Sequence, residues 1–471
     1  MVGSAASSVG PPTAWTWKAR STLPLPSDSQ FGSTRRERLG WYAYDWANQP
    51  FITTVMTVLG TVYLTRLASV AAGCAEDCSG VQVDMLGAAV PIGSLWAYTT
   101  SASVLITVVL LPIVGAAADR SPRKRRMLAG FAFTGSALVF AFVFIGAGSG
   151  QYGLAAFLIL AANIAYGCSI VVYDSFLPQL AAPDDRDRMS SVGWAFAYLA
   201  AAVFLLLNLV SISFAERLGV SELTAVQYGM AATGLWWAGW TVFVLVRLPD
   251  RRPVVDTSVS LLRQLGSTLA ELRHYPYTLL FLAAFLLYSD GISTVLALVG
   301  TYGDQELHLG ADSLVMAILL VQFVNFGGAL AMKQIAVRIG AYKTVMLGLV
   351  GWCGVVVGAY WLPEREVLPF LALGIGLGCV MGGTQALSRS LYSQLIPPGK
   401  SAAYFGVYQI ADRGTSWIGP LMFGLVVQIT GSMRAGVAGL VVFFALGLVL
   451  LALVPMRRAI EAVGNVPPHR L

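Results

Sequence analysis

The stretch from Gly40 to Thr57 reads GWYAYDWANQPFITTVMT. It opens the first long apolar segment of the chain, yet it carries Asp45, Asn48, Gln49 and Pro50. Asp45, Gln49 and Thr53 stand at i, i+4 and i+8 with Asn48 beside them, so a helix gathers them into one polar stripe. Pro50 has no N–H, which leaves the carbonyl of Trp46 without its helical partner and bends the helix. An aspartate inside a membrane span faces a bundle interior or a wet cavity. The competing reading is an interfacial helix start, with Trp41, Tyr42 and Trp46 as an aromatic belt and Asp45 near headgroup level.

Composition favours the first reading. Of 471 residues, 56% are hydrophobic and only 11% charged, the balance of a polytopic membrane protein and not of a soluble enzyme. Twelve segments have the roughly 20 apolar residues a span requires. They are Trp41–Leu67, Ser94–Val114, Met127–Ala147, Gly153–Tyr173, Ser191–Phe214 and Ala225–Val246, then Tyr277–Gly300, Ser313–Met332, Ala341–Trp361, Leu368–Leu387, Ala402–Thr430 and Ala435–Pro455. The predicted fold is all-α and integral to the membrane, with twelve transmembrane helices in two pseudo-symmetric six-helix bundles. If the N-terminus is cytoplasmic, 25 of the 30 Lys and Arg residues fall in cytoplasmic segments, Arg389 among them. That positive-inside bias predicts a multi-pass protein of the cell (inner) membrane with both termini cytoplasmic.

The expected organisation is a disordered tail over 1–40, a first bundle over 41–247, a cytoplasmic linker over 248–276, a second bundle over 277–456 and a short tail over 457–471. The halves repeat. Ser175-x-x-x-Gln179-Leu180-x-x-Pro183, placed after the fourth span, recurs as Ser390-x-x-x-Gln394-Leu395-x-x-Pro398 after the tenth. Asp45 in helix 1 has a counterpart in Asp290 of helix 7. Equal positions with equal orientation imply a parallel repeat about an axis along the membrane normal.

Asp290, Ser293 and Thr294 form a second polar face, with Asp290 roughly 20 Å into its helix. Arg413 lies roughly 16 Å into helix 11 and keeps its proton, so it needs an acidic partner or an anionic ligand. Functionally, Arg413 would receive a substrate carboxylate while Asp290 or Asp45 takes up protons; structurally, Arg413 and an aspartate would form a buried pair. The amides Asn163, Asn208, Gln322 and Asn325 read first as hydrogen bonds between helices and second as cavity lining. Cys74 and Cys78 sit close enough in the first external loop for a disulfide, or for two free thiols. The five cysteines and three histidines show no metal-site spacing. No nucleophile–base pair, phosphate loop or basic–aromatic interleaving suggests an enzyme, a cofactor or nucleic-acid binding.

Gly115-Ala-Ala-Ala-Asp119-Arg120-Ser-Pro-Arg123-Lys124-Arg125 lies between the second and third spans. It resembles the cytoplasmic signature G-x-x-x-D-R-x-G-R-R-K of the major facilitator superfamily, with Pro122 in place of the second glycine. The resemblance implies an inter-bundle latch made by Asp119 and Arg123, with Gly115 and Arg120 completing the motif. After the eighth span Val337 stands where a second latch would need Asp. Within the superfamily, Trp41 to Asn48, Phe176-Leu-Pro-Gln-Leu180, Gly193 to Tyr198, Tyr288-Ser-Asp-Gly291, Gly383 to Ser390 and Asp412 to Pro420 resemble the vacuole-effluxer-like transporters. The sequence departs from their pattern at Gln49-Pro50 and at Asp174, where Asn is common.

That resemblance implies secondary active transport of a small polar metabolite, neutral amino acids first, by alternating access, with proton-coupled efflux as one mode. The expected partners are a small-molecule substrate, the bilayer and protons, and the expected state is a monomer without cofactor or metal. The alternatives are a drug or toxic-metabolite efflux pump, with an aromatic and less charged cavity, and a lipid flippase or scramblase, with a polar groove open to the bilayer.

Overall fold

The structure, a computed structural model, describes residues 33–471 apart from 75–77, 79, 86, 147, 251–265, 267–269 and 415–416. Most of the expected N-terminal tail and of the linker therefore lie outside the described residues.

Among the described residues, eleven helical stretches are long and apolar enough to span a membrane. The first half holds α1 (Arg35–Ala71), α2 (Leu95–Arg120), α3 (Lys124–Phe140), α4 (Tyr152–Asp174), α5 (Arg186–Ser213) and α6 (Glu222–Arg247). The second holds α7 (Pro276–Thr301), α8 (Ala311–Ile339), α9 (Ala341–Ala359), α10 (Val367–Gln394) and α12 (Met433–Ala452). The eleventh segment is two shorter helices, α11a (Ser401–Arg413) and α11b (Ile418–Thr430). Each half has its own hydrophobic core. One is built almost wholly from residues 41–248, the other from 272–460 with Tyr198 reaching across. The halves meet where α2 and α4 pack on α11a, and α5 packs on α8 and α10.

Local chemistry sets these elements. Thr34 and Glu37 cap α1 reciprocally, each side chain accepting the other's backbone N–H. The carbonyl of Trp46, stripped of its partner by Pro50, accepts instead from the Trp236 indole at 3.1 Å. Directly after Pro50, residues Phe51–Leu59 wind as a π-helix. Gly115 lies against α11a so closely that a Cβ there would run into the backbone carbonyl of Ala402.

Between α1 and α2 the chain forms an antiparallel hairpin, β1 (Gln82–Met85) with β2 (Ala88–Pro91), beside a Cys74–Cys78 disulfide. The sequence reading contained no strands. The hairpin marks one face of the molecule, here the hairpin face; the opposite face carries Arg35, Arg123 and Arg457 and is the basic face.

One boundary needs correction. The tenth apolar segment fades at Leu387, but α10 runs on to Gln394, so Arg389 and the Ser390–Gln394 repeat are helical and not in a loop. Hydropathy ends early because Ser388 to Gln394 is a polar run. Those polar groups are buried against the first half and not solvated.

Candidate functional site

On the basic side of the molecular centre the halves are joined through Arg389. Its Nη1 donates to Asp174 Oδ1 at 3.1 Å and its Nη2 to Asp45 Oδ2 at 3.2 Å. Ser190 accepts twice more, from Nε at 2.9 Å through its hydroxyl and from Nη2 at 3.2 Å through its carbonyl. The guanidinium is 4 % exposed, and the rings of Trp41 and Trp194 lie 4.8 and 5.4 Å from its central carbon. A charge so buried persists only when paired and hydrogen-bonded on every side. Gly193 keeps the approach open, since a Cβ there would collide with the Asp45 carboxylate.

The network continues inward. Gln409 Nε2 donates to Asp174 Oδ2 at 3.2 Å, and Gln409 Oε1 accepts from Arg413 Nε at 3.1 Å. Arg413 also lies 4.8 Å from the Tyr166 ring. Asp412 accepts from the Ser289 hydroxyl at 2.5 Å. Asp45, Asn48, Gln49, Asp174, Arg389, Gln409, Asp412 and Arg413 line one central cavity. Water centres can occupy about 50 Å³ of it, room for a few waters only. With every group ionised it holds three carboxylates against two guanidinium groups.

Of the residues expected at the site, Asp45, Asn48, Gln49 and Arg413 line this cavity. Asn48 also donates to the Tyr44 carbonyl at 2.6 Å. Asp290, Ser293 and Thr294 do not line it. Asp290 is buried against Gly419 at the start of α11b, and Thr294 bonds back to the Asp290 carbonyl at 2.8 Å. Arg413 has no carboxylate within 4.0 Å among the described residues; the ion pairs of this cavity belong to Arg389. Asp174, Arg389, Gln409 and Asp412 were not assigned to the site from the sequence. A signal was there, because Asp174 precedes Ser175 and Arg389 precedes Ser390: the two partners occupy the same place in the internal repeat.

Nearer the basic face, Asp119 caps α11a. Its two oxygens accept from the N–H groups of Ala402 and Ala403 at 2.8 and 2.9 Å, where the helix end favours an anion. Its cationic partner is Lys124 at 3.4 Å, and not Arg123, which makes no ion pair among the described residues. Arg123 is the N-cap of α3 and its side chain stays on the surface. Arg186 adds bonds to the Ser393 carbonyl at 2.8 Å and to Gln394 Oε1 at 3.1 Å, and Ser390 donates to Asp187 at 2.6 Å. These contacts close the basic side.

Beyond Gln49, towards the hairpin face, a second chamber lies between the halves with about 170 Å³ open to water centres. Its wall is mostly aliphatic, with no carboxylate and no basic side chain among its lining residues.

Two pseudo-symmetric six-helix halves around a central polar cavity, shut on one side, define a major facilitator transporter. The fold matches solved members of that class. The human organic anion transporter MFSD10 superposes with a TM-score of 0.64 at 16% identity, over 88% of this chain and 99% of that one. The proton:xylose symporter XylE gives 0.67 at 12%, over 91% and 98%. Within the class, residues 33–464 match the family described as vacuole effluxer Atg22 like, and the chain belongs to that family. Among curated relatives, an uncharacterized MFS-type transporter, YxiO, of Bacillus subtilis is 27% identical over 90% of this chain and 95% of its own. Autophagy-related protein 22-1 of Phaeosphaeria nodorum is 25% identical over 91% and 92%.

Proposed function

We propose that the chain exports a small zwitterionic metabolite, neutral amino acids first, by alternating access through the central cavity. The carrying observation is Arg413, a guanidinium facing that cavity with no carboxylate within ion-pair distance among the described residues. A substrate carboxylate would complete it through a bidentate fork. The surplus carboxylate of the cavity would take the substrate ammonium or a proton, which supports proton coupling through Asp45 and its neighbours. The basic residues favour a cell-membrane orientation with the basic face cytoplasmic. In this state the cytoplasmic side is shut by Arg389, Asp119 and Arg186. The apolar outer chamber also suits the alternative cargo, a lipophilic toxic compound.

The test is counterflow in proteoliposomes over an amino-acid panel, with Arg413→Lys and Arg413→Ala. The lysine variant should lose about tenfold or more in apparent affinity while melting as the wild type does, because it keeps charge but not the fork. Wild-type affinity in Arg413→Ala would remove Arg413 from the substrate site.

A further inference from the structure

The outer chamber contains buried polar atoms that the fold leaves unanswered. Among the described residues, Gln322 Oε1 and Asn325 Oδ1, both on α8, have no hydrogen-bond partner, and neither does the hydroxyl of Tyr198 on α5. All three residues line the chamber together with Gln49 of α1. Gln322 and Asn325 are three residues apart and share one face of α8. The Asn325 amide nitrogen points to Met381 Sδ at 3.6 Å. Sulfur is an acceptor, so the nitrogen belongs on that side and the oxygen stays buried beside the chamber without a partner among the described residues. An amide acting as helix glue looks different: Asn163 donates to Ser103 on the neighbouring helix at 2.7 Å. Asn325 does reach a neighbouring helix through its nitrogen, at Met381 of α10, but its oxygen and that of Gln322 stay without a partner among the described residues.

An acceptor-bearing apolar chamber discriminates in a known direction. A cargo that fills it with hydrocarbon alone displaces any water serving these atoms and strands them. A cargo with an N–H or O–H at the same end satisfies them. We infer that Gln322 and Asn325 are specificity residues that select cargo bearing a hydrogen-bond donor at its uncharged, largely apolar end. This inference rests on the zwitterion reading for which end enters the charged cavity, with Gln49 lining both compartments.

Tyrosine and phenylalanine differ by one hydroxyl and provide the measurement. In counterflow the wild type should prefer tyrosine by about tenfold or more, since sites built for a hydroxyl reject the analogue lacking it. In the double variant Gln322→Leu, Asn325→Leu the ratio should fall to near one. That variant should melt at or above the wild type, because leucine removes two stranded acceptors from an apolar wall. Equal use of both amino acids by the wild type, or a preference that survives in the variant, overturns the inference. If neither amino acid is carried, the zwitterion reading falls, and p-cresol against toluene decides the remainder by thermal shift of the purified full chain. A preference for p-cresol that vanishes in the double variant upholds donor selection; equal shifts overturn it.

Discussion

The two sides of the interface between the halves are built from different chemistry. Towards the basic face the halves interlock through charge and backbone: Arg389 on Asp45 and Asp174, Asp119 on the start of α11a, Arg186 on the end of α10. Towards the hairpin face they border an aliphatic chamber whose polar atoms bond little across it. Directional contacts close one side in one geometry, and losing any of them leaves a buried group unpaired. Dispersion and apolar burial on the other side tolerate sliding and repacking. Closure of the basic side is therefore specified residue by residue, whereas the outer side can adapt to what it holds.

The strongest way to break this contrast is Arg389→Ala. It would strand Asp45 and Asp174 in a buried site and should cost about 3–5 kcal/mol. The melting temperature of the detergent-purified variant should fall well below that of an aliphatic substitution in the outer chamber, such as Leu373→Ala. Similar melting of the two would mean that the ionic side is not the specified one.

A smaller effect is expected for Asp119→Ala, which removes two backbone bonds from α11a, about 1–2 kcal/mol as for a lost cap, and leaves the buried Lys124, able to release its proton, without its carboxylate. It should shift the population towards an open basic side. With the three free cysteines Cys168, Cys353 and Cys379 replaced, a cysteine at buried Ser393 should then react faster with an impermeant maleimide. Unchanged labelling would separate the α11a cap from closure. The smallest change belongs to Arg123→Ala, which should move stability by less than about 0.5 kcal/mol, as surface substitutions do. An effect matching that of Asp119→Ala would restore Arg123 to the latch in place of Lys124.

Much of this was legible in the chain. Apolar length marks the passes because a lipid solvent forces each into a helix, and the repeat marks the two halves. The stretch around Asp45 shows in sequence because polar residues are conspicuous among apolar ones. Arg389 fails for the converse reason: it stands in a polar run, Ser388 to Gln394, that resembles a solvated loop when only hydropathy is counted. Its burial depends on Asp45 and Asp174, which lie 344 and 215 residues away in the chain. Asp290 misleads in the opposite way, since depth along its own helix says nothing about which neighbour it faces. Lys124 and Arg123 are adjacent in sequence, and only the start of α3 decides which one turns inward.

The wide turns of α1 bear on how such a protein can move at all. Trp46 has already passed its carbonyl bond to Trp236, and Phe51–Leu59 uses more residues per turn than the helix on either side. The segment thus stores slack in angle. Taking up one whole residue's worth of that slack would rotate everything beyond it by about 100° about the helix axis. Thr53 and Thr57 would leave the chamber wall and other side chains would take their place, while Asp45 stayed bound to Arg389. One helix can in this way serve as a fixed bolt at one end and a turning key at the other.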